Sequence, residues 1–273
     1  DSDHVLHSLK KLEFLVVQDI FLTETAEFAH VVLPAASWGE KDGTFTNTCR
    51  SVQRVRKAVD SPGEARPDWE ILLEVGRRLG APWKDMYSPE TIFNAIGKIA
   101  PAYAGITYGR LEGGALPWPC PTCDHPGTPI LYTTGFPRGK ADFSPCDWEK
   151  PEEWPTQEYP FIATTGRVLY HYHSGSMTRR SAPGEFIKEM YIEINPADAK
   201  ALNIQDGEKI KVTSRRGEVC AAAKITDRVP AGTLFLPFHF SEASANILTS
   251  EKIDPVSKTP GFKVNAVKVE KAV

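Results

Sequence analysis

The densest collection of chemically capable side chains is Gly166-Arg-Val-Leu-Tyr-His-Tyr-His-Ser-Gly-Ser-Met-Thr178, with one arginine, two histidines, two tyrosines and three hydroxyl residues in thirteen positions. Guanidinium, imidazole, phenol and hydroxyl groups give directional donors and acceptors for a large polar ligand, and loops on rigid scaffolds are where binding chemistry tends to sit. A second run, Gly43-Thr-Phe-Thr-Asn47 followed by Arg50, Gln53 and Arg54, supplies amide, hydroxyl and guanidinium groups suited to phosphates and base edges. Its spacing alone fits a polar surface turn equally well.

Metal and nucleophile chemistry find less support. His171 and His173 are two apart, so a strand would point both the same way, but no third ligand is nearby and a zinc site is rejected. Cys120-Pro-Thr-Cys123 has the spacing of a zinc or redox pair, with His125 close by. Cys49, Cys146 and Cys220 are isolated, and Pro119 and Pro121 oppose the helix that a redox motif opens, so packed loop cysteines beside Trp118 are expected, with a weak metal site as the alternative. No nucleophile elbow, Walker loop or Gly-x-Gly-x-x-Gly occurs, which removes the usual support for hydrolase, P-loop and simple nicotinamide chemistry.

The elements that must position these loops fall into two kinds. Residues 13–19 and 30–34 are short continuous apolar runs, as in strands covered on both faces, and Thr23-Glu-Thr-Ala-Glu27 between them has the composition of a helix start, giving a candidate βαβ unit. Pro67 to Gly80 reads as a helix with Trp69, Leu72, Leu73, Val75 and Leu79 as its apolar face; Ser88-Pro89-Glu90 opens another, with Ile92, Phe93, Ile96 and Ile99 buried. Between Gly105 and Pro160 periodicity dissolves into Gly, Pro and Trp. Beyond Tyr159 come strand candidates at 161–165, 190–194, 209–214, 218–224 and 232–237, interrupted by one short helix from Asn195 to Leu202. The second half therefore reads as a small β-barrel.

Composition sets the outer limits. The chain has 273 residues, 41% hydrophobic and 25% charged, with 32 Lys+Arg against 35 Asp+Glu and a net charge of -3. That excludes a disordered tail, a collagen-like fibre and a globally basic nucleic-acid binder, and the length suits two modest domains. No run of 18 apolar residues exists, so no membrane span is expected. Five cysteines, an odd number, make a poor disulfide framework and favour a reducing compartment, the cytoplasm by default. The start, Asp-Ser-Asp-His, lacks both an initiator Met and a signal-peptide layout, so a truncated or processed chain is expected.

Several stretches then carry a resemblance. Val17 to Ala26, His30 to Glu40, Gly43 to Asn47 and Arg66-Pro-Asp-Trp69 resemble the molybdopterin oxidoreductase family. Trp118-Pro-Cys120, Gly166 to Thr178 and Ser257 to Val267 are similar to the C-terminal part of the catalytic subunits of formate dehydrogenases within it. The resemblance implies an α/β plus β fold. Residues 1–104 would be the remainder of a parallel-sheet dinucleotide-binding domain, 105–158 a loop-rich connector, and 159–273 a six-stranded double-psi β-barrel. It further implies a bis-molybdopterin guanine dinucleotide cofactor with molybdenum or tungsten. Gln18, Asp19, Thr23, Thr25 and Asp68 would contact one nucleotide, joined by Asn47 and Arg50 from the donor-rich loop. Arg167, His171, Tyr172, His173 and Ser174 would contact pterin and phosphate, and Asn246, Phe262 and Lys263 would lie on late loops near the pterins.

No catalytic residue is expected in this chain. The metal-ligating Cys or selenocysteine and a [4Fe-4S] cluster are implied for an N-terminal part of the catalytic subunit, with iron–sulfur electron-transfer subunits as further partners. The implied reaction interconverts formate and carbon dioxide. Alternatives are another member of the family, of the nitrate reductase or formylmethanofuran dehydrogenase type, and a structural module without cofactor.

Overall fold

The computed structural model describes residues 2–272, which divide into two compact units: 2–13 with 146–272, and 14–145. The expected boundaries differ from this division. The first helix, α1 (Ser2–Leu9), belongs with the barrel unit, and the segment expected to be a connector is shared between the two units.

In the unit formed by residues 14–145, β1 (Val16–Asp19) and β2 (Val31–Pro34) pair in parallel, Val16 opposite Val31 and Asp19 opposite Pro34. The expected helix between them is a single 3-10 turn, Ala26–Phe28. A parallel crossover with a full helix needs a dozen or more residues, and the link between these strands is shorter than that. The polar stretch after β2 folds as a hairpin of β3 (Gly43–Thr46) and β4 (Ser51–Val55), and β4 also pairs with the two-residue β5 (Leu116–Pro117).

Helix α2 (Asp68–Arg78) begins where sequence places it, with Asp68 and Glu70 in its first turn and Arg77 and Arg78 in its last, favourable to the helix dipole at both ends. Its buried residues are Ile71 and Leu73, whereas Leu72, Val75 and Leu79 of the expected apolar face are exposed. Helix α3 (Pro89–Ile99) has Ser88 as N-cap, whose side chain accepts from the Thr91 amide, and it buries Phe93 while leaving Ile99 83% exposed. The segment without periodicity is not a plain loop. It contains the one-turn helix α4 (Tyr108–Leu111), and with Val52 and Phe93 it builds a core from Ile106, Tyr108, Leu111 and Cys120.

The other unit is a closed six-stranded barrel. Its strands are β6 (Phe161–Gly166), β7 (Tyr191–Ile194), β8 (Lys209–Thr213), β9 (Glu218–Ile225), β10 (Thr233–Pro237) and β11 (Asn265–Lys271), in the order β10-β6-β11-β8-β9-β7. The pairs β6/β10 and β7/β9 are parallel and the other four antiparallel. Alternation drives closure: Ile210 and Val212 on β8, and Val219, Ala221 and Ala223 on β9, point to a core shared with Ile192, Ile194, Leu234, Leu236 and Val267. The short helix α5 (Pro196–Ala201) is capped by Asn195, whose side chain accepts from Ala197 N–H at 2.9 Å. Strand β11 is the one barrel strand that residue pattern had not picked out. Among the described residues no helix is long and apolar enough to cross a membrane.

Candidate functional site

Parallel strands bring their exits to one end of a sheet, and the chain leaves both β6 and β10 at the same end of the barrel. Strand β11 runs antiparallel to β6, so the residues entering it arrive there too. Three loops therefore converge. They line a cavity of about 680 Å³ with Thr165, Gly166 and Arg167 from the first, His173 and Ser174 further along it, Phe238 and Asn246 from the second, and Phe262 and Lys263 from the third. That volume suits a substantial organic ligand.

The join is hydrogen-bonded. Phe262 carbonyl accepts from the Thr165 amide at 3.2 Å and from its hydroxyl at 3.0 Å, and Lys263 Nζ donates to the Thr165 carbonyl. Gly166 is needed at the strand exit, because a Cβ there would come within 2.4 Å of the Phe235 ring. The cavity lining contains two cations, Arg167 and Lys263, and no carboxylate. Among the described residues neither cation forms an ion pair. Arg167 lies with its guanidinium carbon 6.0 Å from the Phe238 ring centroid. Asn246 Oδ1 is buried without a hydrogen-bond partner, an acceptor whose cost a ligand donor would relieve.

The structure brings together six of the eight barrel residues singled out in sequence: Arg167, His173, Ser174, Asn246, Phe262 and Lys263. His171 and Tyr172 do not line the cavity. His171 is 4% exposed, with its ring nitrogens bonded to the Thr178 hydroxyl at 3.1 Å and the Ile187 carbonyl at 2.6 Å, an arrangement that packs the loop. Tyr172 is exposed.

Sequence reasoning missed His239, which sits fully buried beneath this loop and bonds to the Val168 amide and the His173 carbonyl. Burial pushes its pKa below the ordinary imidazole value, and the nearby Arg167, His171 and His173 push the same way against the bond to the His173 carbonyl. His239 lies two residues past the strand read at 232–237, between the apolar Phe238 and Phe240.

The other unit gathers a smaller cluster at the strand ends. Gln18 near the end of β1 donates to Asp68 Oδ1 at 2.8 Å, and Lys41 pairs with Oδ2. Ala35, just after β2, bridges to Arg66, which sets Asp68 at the start of α2 beside β1. Partial burial alone would raise the Asp68 pKa, but the hydrogen bonds from Lys41 and Gln18 and the Lys41 charge outweigh it and hold the acid below the ordinary carboxylate value. Lys41 was not picked out in sequence, since a lone lysine beside a glycine-rich turn carries no distinguishing signal.

The remaining positions serve local structure. Asp19 Oδ1 accepts from the Phe21 amide at 2.9 Å and Thr23 Oγ1 from the Ala26 amide at 3.4 Å, while Thr25 precedes the 3-10 turn. Asn47 closes the β3–β4 turn by accepting from the Ser51 amide at 2.9 Å. Arg50, in the left-handed region at φ 65°, donates to the carbonyls of Trp118, Thr128 and Pro129. Neither joins the Asp68 cluster through a hydrogen bond. Cys120 is fully buried, with Sγ 3.3 Å from Arg110 Nη1, while Cys123 is exposed, and among the described residues no group of three or more His, Cys, Asp or Glu could hold a metal.

Comparison with known proteins adds relatives to this description. Residues 161–266 match the "Molydopterin dinucleotide binding domain" and residues 1–78 match "Molybdopterin oxidoreductase". The chain is 50% identical over 275 residues to F420-dependent formate dehydrogenase 1 subunit alpha of Methanococcus maripaludis, covering 99% of this chain and 41% of that protein. It is 52% identical over 275 residues to F420-dependent formate dehydrogenase subunit alpha of Methanocaldococcus jannaschii, with the same coverage of 99% and 41%. Among solved structures, acetylene hydratase from Pelobacter acetylenicus shares the fold with a TM-score of 0.76 at 19% identity, over 99% of this chain and 42% of that one. The chain thus spans about two fifths of the length of the curated relatives it matches. The part that carries β1 and β2 and the six-stranded barrel are thus each similar to molybdopterin oxidoreductases, with formate dehydrogenase alpha subunits among the relatives.

Proposed function

We propose that this chain is a dinucleotide-holding part of a formate dehydrogenase, and that its barrel cavity takes the pterin and phosphates of a molybdopterin guanine dinucleotide. The observation that carries this reading is the cavity lining: two cations without an ion-pair partner among the described residues, no carboxylate, and one buried acceptor without a hydrogen-bond partner. A pyrophosphate needs the first two features, and the amino and ring N–H groups of a pterin or guanine need the third. Arg167 and Lys263 would meet phosphate oxygens through charge-assisted bonds, which are about twice as strong as neutral ones. His173 and Ser174 would add polar contacts from the same loop, and Phe238 and Phe262 flat apolar surface for a ring. In the other unit the Asp68 carboxylate, with Gln18 and Lys41, is the group we assign to a guanine edge, since its two oxygens accept from adjacent N–H donors.

When bound, the cofactor supplies two-electron redox chemistry at molybdenum or tungsten for interconverting formate and carbon dioxide. This chain's residues bind and orient it and neutralise its charge. The metal's protein ligand and a [4Fe-4S] cluster are assigned to another part of the catalytic subunit, and iron–sulfur subunits to electron transfer beyond it. The names of the two methanogen relatives make F420 the acceptor we propose for the complete enzyme. A cytoplasmic location is the one proposed.

The test is extraction of the enzyme as purified from its source. Acid hydrolysis of the extract should release GMP together with an oxidised pterin fluorophore and molybdenum or tungsten. An enzyme that reduces an artificial acceptor with formate yet yields no guanine nucleotide would overturn the assignment.

A further inference from the structure

The loop leaving β6 carries Arg167, His173 and Ser174 to the cavity, yet residues 167–177 contain no helix or strand of their own. Its backbone is fastened from beneath. His239, two residues beyond β10 and 0% exposed, places Nε2 3.1 Å from the Val168 amide and Nδ1 against the His173 carbonyl. The two bonds grip the loop beside its first cavity residue and at its second. Gly175 completes the fit: its φ is 77°, and a Cβ there would come within 2.8 Å of the His239 carbonyl.

The partners fix the ring's chemistry. An amide N–H needs a lone pair on Nε2, and a carbonyl needs a proton on Nδ1. The neutral Nδ1–H tautomer meets both demands. The other tautomer reverses both, and the imidazolium has no lone pair for Val168. The titratable or charged groups facing the ring are His171, at 5.5 Å between centroids, together with His173 and Arg167, and the aromatic rings of Phe238 and Phe240 flank it. No carboxylate is among them to favour a cation.

We propose that His239 is a positioning residue for the dinucleotide: as the neutral Nδ1–H tautomer it ties together both ends of the 167–173 loop and so fixes where Arg167, His173 and Ser174 meet the ligand. This rests on reading the cavity as the dinucleotide site. Protonation of the ring frees the Val168 amide, so the loop loosens in acid.

Two measurements on the 273-residue chain test it separately. Nitrogen-15 imidazole spectra, with the His239 signal assigned by its loss in His239→Phe, should show the proton on Nδ1 and a ring that takes up its second proton at lower pH than an ordinary histidine. An Nε2–H tautomer, or titration alongside exposed histidines, overturns the proposal whether or not the cavity binds a nucleotide. The second measurement compares wild type, His239→Asn, which keeps a donor near Nδ1, and His239→Phe, which keeps neither group. Hydrogen exchange at Val168 should quicken at least tenfold in both, and GDP affinity should fall about threefold in Asn and about tenfold in Phe. Unchanged exchange at Val168 overturns the proposal. Absence of GDP binding in wild type overturns the functional reading instead and leaves the spectra and exchange to decide the role of His239. If His239→Phe fails to fold, His239→Asn supplies both the assignment and the exchange comparison.

Discussion

Replacing Arg167 by Gln isolates the electrostatic part of the cavity. The residue forms no ion pair among the described residues, and its one aromatic contact lies at 6.0 Å, worth at most about 1 kcal/mol when exposed. Stability should therefore change by less than about 1 kcal/mol, read by urea denaturation. Binding should change more. A charge-assisted hydrogen bond to phosphate is worth about 1.5–3 kcal/mol, and exposure of Arg167 to solvent puts it at the lower end. Since about 1.4 kcal/mol is tenfold, GDP affinity should fall about tenfold. Lys263→Gln should do the same at a slightly larger cost in stability, because its ammonium also holds the Thr165 carbonyl. The double variant should lose about a hundredfold if the cations act independently. Calorimetric titration with GDP at low and high salt gives the decisive comparison, because wild-type affinity should fall with salt and the double variant's should barely move. A double variant with native circular dichroism and wild-type affinity would refute phosphate binding in this cavity.

Three other perturbations separate structure from binding. Asn246→Ala removes an acceptor that already lacks a partner, so folding stability should stay within about 1 kcal/mol of wild type while pterin retention by the loaded enzyme, followed by fluorescence after gel filtration, falls. Glu153→Ala strips the carboxylate from the half-buried Arg216, a pair with side chains 12% and 13% exposed, and should cost about 1–3 kcal/mol in urea denaturation, since Arg216 keeps its bonds to the Leu248 carbonyl. Asp68 has a pKa below its unfolded value of about 3.9, so its contribution to stability is present above that pH and lost as pH falls through the folded value. Its side chain is 44% exposed, so screening limits the contribution to under about 1 kcal/mol; the gap between wild type and Asp68→Asn should be constant above about pH 5 and close below about pH 4.

What sequence revealed of this fold depends on how local each signal is. Helices α3 and α5 announce themselves because their N-caps, Ser88 and Asn195, bond to amides two or three residues away. Barrel strands β8 and β9 are legible because inward and outward residues alternate along them. The β3–β4 hairpin was not, since its strands are mostly polar and Val52 is the one fully buried residue in them. In the site, types that a ligand needs were legible as a dense polar loop, but residue type does not say which side chain faces the cavity. His171 and His173 are alike in sequence, and burial gives one to packing and leaves the other at the lining. His239 was invisible because a buried imidazole that staples backbone groups lies among the same apolar neighbours as any strand residue.

The apolar residues whose burial was misread follow a physical rule of their own. Strands β1 and β2 have the composition of parallel strands covered on both faces, yet Val16, Val31 and Val32 are exposed, as are Leu72, Val75 and Leu79 on α2. A lone two-stranded sheet is marginal in water. The pattern thus records more burial than these 273 residues provide, and the relatives, matched over 41% of their length, are long enough to provide it. The barrel differs, because its sheet closes and its core is filled by its own strands. Its cavity needs no further strand to complete the sheet beneath it, whereas Gln18, Lys41 and Asp68 sit at the ends of a sheet with open edges. Nucleotide binding by the chain alone should therefore depend on Arg167 and Lys263 and be insensitive to Asp68→Asn; equal sensitivity at both places would show that the open sheet already holds its share of the ligand.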